Sequence, residues 1–132
     1  MQIQHGNITI FNGKLSIRDL SRKQKEIFDT ITPMLEKEIK PTKNLNLNIS
    51  GDCCKNFVEM YFHREPKFLH ISTQITDDTI PITSATIEGV ERNTVVKTIR
   101  KLISTHINSE AYKNCITQKT SLKDKIIALL YK

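Results

Sequence analysis

The chain has 132 residues, 38% of them hydrophobic and 26% charged, a balance that predicts a single globular domain over residues 1–132 and argues against a disordered chain. No apolar run approaches the roughly 18 residues of a membrane span, and Met1–Gly6 lacks the basic and apolar stretches of a signal peptide, so a cytoplasmic protein with no membrane partner is expected. The formal charge is +6, an excess that suits an acidic partner such as nucleic acid.

In chain order, residues 8–17 read as a hairpin. Asn12-Gly13 has the composition of a type I′ turn, and pairing across it puts Ile10 opposite Leu15 and Ile8 opposite Ile17. Ser21 and Gln24 have capping-box spacing, and Ile27, Phe28, Ile31, Met34, Leu35 and Ile39 follow with helical period. Pro33 interrupts that run, which predicts a kink or a second helix beginning there. Leu45, Leu47 and Ile49 alternate with asparagines, as in a half-buried strand.

Residues 57–63 suit either a strand or a helix, and aromatic enrichment favours the strand. Glu65-Pro66 then turns the chain into a strand over 68–75, with Leu69, Ile71 and Ile75 on one face. Asp77-Asp78 makes the next turn, and a strand over 79–87 shifts parity near Ser84, which predicts a bulge. Beyond Gly89, Val95, Ile99, Leu102, His106 and their neighbours form a helical apolar stripe, residues 109–120 read as a loose connection, and Ser121 opens a last helix. The expected fold is α+β: an antiparallel sheet made of the N-terminal hairpin and a four-strand meander, with helices packed on one face.

Two basic regions stand out. Residues 92–132 carry a net +7, and Lys14, Arg18, Arg22, Lys23 and Lys25 cluster near the other end. The three cysteines, two of them adjacent, do not suggest a disulfide framework, which agrees with a reducing compartment. With His63 and His70 they match no zinc spacing, so neither a metal site nor a cofactor is expected.

If Glu65-Pro66 is a two-residue loop, then Tyr61 faces His70 and Glu59 faces Ser72. Glu59, Tyr61, His63, His70 and Ser72 would then share one outer face, with Arg64 and Lys67 at the turn. Three functions follow. An open polar face with Tyr61 and Phe68, edged by Arg64 and Lys67 and supplemented by Lys97, Arg100 and Lys101 on the basic helix, suits RNA. The same face or an edge strand suits a protein partner or self-association. Glu59, His63 and His70 are also the residue types that divide base and acid roles in metal-independent RNA cleavage. The absence of any loop rich enough to build a cleft places binding ahead of catalysis, and nucleic acid ahead of protein as the ligand.

Overall fold

A computed structural model describes residues 11–53 and 67–117. Its elements run β1 (Lys14–Arg18), α1 (Arg22–Ile39), β2 (Leu45–Gly51), β3 (Phe68–Ile75), β4 (Thr83–Glu88) and α2 (Arg92–Ile107), followed by a short helix, α3, over residues 110–117. The class is α+β. The four strands lie in the order β1-β2-β3-β4, and both long helices cover one face. Leu47, Ile49, Leu69 and Ile71 meet Phe28, Ile31 and Leu35 of α1 and Val95 and Ile99 of α2 in one core.

The sheet is mixed, not purely antiparallel. β1 runs parallel to β2, with Leu15 beside Leu47 and Ile17 beside Ile49, and α1 is the crossover that a parallel pair requires. The expected N-terminal hairpin fails at its turn, since neither Asn12 nor Gly13 has a positive φ. Gly13 serves a different need. Its amide donates to the Lys40 carbonyl at 3.1 Å, and a side chain there would overlap the Ile39 carbonyl. The first half of that hairpin, residues 8–10, lies outside the described residues.

The meander is also revised. β2 pairs directly with β3, from Leu45–Ile75 to Gly51–Leu69, and β4 takes the other edge of β3. Both edges of β3 are thus taken by described strands. His70 instead faces Ser50 and Thr86, and Ser72 faces Asn48 and Ser84. Residues 57–63 themselves, the Glu65-Pro66 turn and the helix beginning at Ser121 lie outside the described residues.

Three smaller expectations change as well. α1 runs unbroken through Pro33. That residue and Asp29, whose carbonyl it leaves without a helical donor, are both on the exposed side, where water serves as partner. β4 begins at Thr83 in regular register with β3, and the parity shift arises because Ile80, 77% exposed, belongs to the preceding loop. The connection after α2 is largely helical, because Ser109 caps α3: its hydroxyl accepts the Tyr112 amide at 3.2 Å.

Two buried amides brace the crossover. At one end the Ser21 and Gln24 capping box forms in full: the Gln24 amide donates to Ser21 Oγ at 3.3 Å and Gln24 Oε1 accepts from the Ser21 amide at 2.9 Å. Gln24 Nε2 then donates to the Phe68 carbonyl at 3.2 Å, in the space that Gly51 leaves beside it. At the other end Asn44 adopts φ 57, exchanges main-chain and side-chain bonds with Phe11, and accepts from the Thr76 amide at 3.0 Å.

His106 lies fully buried under the sheet. Its Nδ1 is 2.8 Å from Thr73 Oγ1, which in turn bonds Thr83 Oγ1. Its ring centroid lies 4.8 Å from that of Tyr112, whose hydroxyl donates to the Lys43 carbonyl. Burial lowers the His106 pKa from 6.5 to about 4, and burial first, then the neighbouring Cys115, raises that of Tyr112.

Two outcomes are expected. Gln24→Leu strands the Ser21 amide and the Phe68 carbonyl and lowers stability in urea by about 2–4 kcal/mol, whereas Lys25→Ala, at the exposed next position, stays within about 0.5 kcal/mol. For His106 the native state stays neutral down to about pH 4 while the unfolded chain takes up the proton below 6.5. Stability therefore falls as pH drops through that window, by roughly 3 kcal/mol over its whole width. Urea midpoints measured at pH 7, 6 and 5 should show this slope in the wild type and lose it in His106→Leu.

Candidate nucleic-acid interface

Alternation along the strands sends one set of side chains into the core and the other set to the opposite face. In β2 this leaves Asn46, Asn48 and Ser50 half-buried between fully buried Leu45, Leu47 and Ile49. Register then lines up cross-sheet rows on the side away from α1 and α2. One row is Lys14, Asn46 and Gln74. The next is Ser16, Asn48, Ser72 and Ser84, and the third is Arg18, Ser50, His70 and Thr86. These rows are mostly amides and hydroxyls, with basic residues along the β1 edge, and beyond the third row Glu88 stands beside Phe68.

The rows are tied together. Asn48 Nδ2 donates to Gln74 Oε1 at 3.3 Å, and Thr76 Oγ1 donates to Asn46 Oδ1 at 3.2 Å. Gln74 Nε2 in turn donates to the Asp78 carbonyl at 2.8 Å. Bonds of this kind hold side chains in fixed rotamers, so a ligand would meet a face that is already ordered.

The third row carries the most chemistry. His70 Nε2 lies 3.0 Å from both carboxylate oxygens of Asp52, and Nδ1 lies 3.2 Å from Thr86 Oγ1. The His70 and Asp52 side chains are 45% and 33% exposed, so the group is reachable from solvent. Arg18 begins the same row two strands away, about 10 Å at ordinary strand spacing. The carboxylate holds the ring in one orientation, while Arg18 supplies a fixed positive charge to the same row.

Of the residues singled out from sequence, His70 and Phe68 lie on this face, Phe68 being 50% exposed at the end of β3. Lys67, also exposed, precedes it. Glu59, Tyr61, His63 and Arg64 lie outside the described residues. Lys97, Arg100 and Lys101 are exposed on α2, on the helical side of the molecule. Arg100 is also paired there with Glu38 of α1 at 3.0 Å. A ligand lying on the sheet face does not reach these three, so the basic residues fall into two separate surfaces.

Sequence reasoning missed Asp52, Thr86 and the place of Arg18. Asp52 reads as an ordinary turn residue beside Gly51. Only the β2–β3 pairing brings it to His70. Parity alone does place Lys14 and Arg18 opposite Leu15 and Ile17.

Among the described residues no group of three histidine, cysteine, aspartate or glutamate side chains is placed to hold a metal ion, and no helix is long and apolar enough to cross a membrane. Comparison with protein-family models, curated proteins and solved structures finds no match.

Proposed function

We propose that this protein binds nucleic acid, RNA in particular, on the face of its sheet that lies away from α1 and α2. The observation that carries the reading is the order of the rows: a bonded platform of amides and hydroxyls begins at Lys14 and Arg18 on the β1 edge. Arg22, Lys23 and Lys25, all exposed, follow in the first turn of α1 and extend the positive charge around the same corner. Lysine and arginine attract phosphates whatever the sequence. Amides and hydroxyls offer donors and acceptors to sugars and base edges, and Phe68 at the start of β3, with Glu88 beside it, offers a ring for stacking. The activity is binding and not catalysis, because nothing among the described residues encloses His70 in a cleft.

The test is fluorescence anisotropy with labelled single-stranded and duplex RNA at several salt concentrations. Binding weakens as salt rises. Lys14→Glu with Arg18→Glu weakens it evenly across sequences and flattens the salt slope by about one unit for each phosphate no longer neutralised. Charge reversal at Lys97 and Lys101 changes affinity by no more than about two-fold near physiological salt, where screening limits action at a distance. Absence of binding even at about 50 mM salt, where phosphate attraction is strong, would reject the reading and leave a protein partner as the ligand.

A second reading rests on the contact between Asp52 and His70. An imidazole held by a carboxylate is a group that can move the 2′-hydroxyl proton in metal-independent RNA cleavage. RNA incubated with the protein in EDTA decides it. Cleavage that disappears in His70→Ala and falls in Asp52→Asn supports this reading, and intact RNA rejects it.

A further inference from the structure

We propose that the seam between α1 and α2 is a docking groove for an acidic amphipathic helix of a partner protein. It lies on the opposite side of the molecule from the sheet face and uses different residues. α1 spends Phe28, Ile31, Leu35 and Ile39 on covering the sheet, and α2 spends Val95 and Ile99. The apolar residues on their flanks remain only partly covered. Met34, Val96 and Ile103 are half-buried, and Ile107 is 37% exposed.

Two depressions follow this seam. One, of about 400 Å³, lies between Met34, Val96, Arg92 and Lys97. The other, of about 240 Å³, lies between Glu38, Ile103 and Ile107. Arg100 borders both. Its guanidinium rests 3.6 Å from Met34 Sδ and 3.0 Å from Glu38, so this one exposed ion pair is the partition between them. Such pairs contribute about 0–1 kcal/mol, and an incoming carboxylate can take the place of Glu38 on Arg100 and join the two depressions.

Charge names the occupant. The rim carries Arg92, Lys97 and Arg100 against Glu38, and the floor is methionine, valine and isoleucine. An amphipathic helix presents apolar anchors three and four residues apart, and acidic flanks would complement this rim. The chain's own residues 118–132 carry Lys119, Lys123, Lys125 and Lys132 against Asp124, which is the same sign as the rim. Nucleic acid fits the rim but not the floor, which has no aromatic side chain on which a base could stack.

The probe is a labelled synthetic peptide of roughly four helical turns, with leucines at positions i, i+3, i+4 and i+7 and glutamates elsewhere. It is titrated into the full chain, followed by anisotropy and by amide chemical-shift mapping. The expected result is micromolar binding with shifts at Met34, Val96, Arg100, Ile103 and Ile107. A scrambled peptide of the same composition, or one with lysine in place of glutamate, should bind at least ten-fold more weakly. Lys97→Glu with Arg100→Glu, both at exposed positions, should cost a similar factor. The mapping on wild-type protein needs no variant, so a misfolded mutant leaves the test intact. Equal binding of the scrambled peptide, shifts confined to the sheet face, or no binding would overturn the proposal. So would RNA that displaces the peptide and shifts the same α2 residues, or a self-associating chain that closes the groove with a second copy.

Discussion

A single buried amide, Gln24, joins the three parts on which this fold depends. Its oxygen closes the capping box of α1 and its nitrogen holds the end of β3. It fits because Gly51, at the end of β2, has no side chain to exclude it. A parallel pair needs a crossover whose helix is fixed in height and direction against the strands. Gln24 fixes that helix at its first turn, and the Gly13–Lys40 bond with Asn44 fixes the other end. Ser21 and Gln24 at one end and Asn44 at the other are polar and buried, so displacement of α1 would leave buried donors and acceptors without partners, each at a cost of about 1–3 kcal/mol.

With both helices committed to one side, the two surfaces acquire different chemistry. Among the described residues no helix covers the other sheet face, which is mostly amides and hydroxyls with β1 supplying positive charge. The helical side keeps an incompletely filled seam where apolar flanks meet a basic rim. Basic residues thus stand in two different settings, a polar platform and an apolar groove, that suit different ligands.

The strand ends beneath α2 are built differently again. Thr73, Thr83 and His106 form a buried polar chain beneath Tyr112. Thr73 occupies the position between Ile71 and Ile75 where an apolar residue would ordinarily sit. The hydroxyl is satisfied only because β4 and α2 bring it Thr83 and His106, so this part of the core depends on three elements docking together.

Much of the local structure was legible in the residues themselves. The period of α1 and α2, the cap at Ser21, the turn at Asp77 and the alternation of β2 and β3 follow from side-chain spacing and backbone preference, which act over a few residues. The same alternation along β1, had it been carried one residue further, would also have put Arg18 opposite Leu15 and Ile17. Strand partners were not legible in this way. Asn12-Gly13 reads as a hairpin turn by composition, yet Gly13 is required for a close approach to the end of α1, nearly thirty residues on. His70 gained Asp52 and Thr86 only when β2 and β4 took the two edges of β3. Alternation states which side of a sheet a residue faces, because that is set by its own strand. Which residues stand next to it is set by the partner strands, and long-range hydrogen bonds and buried amides decided that here.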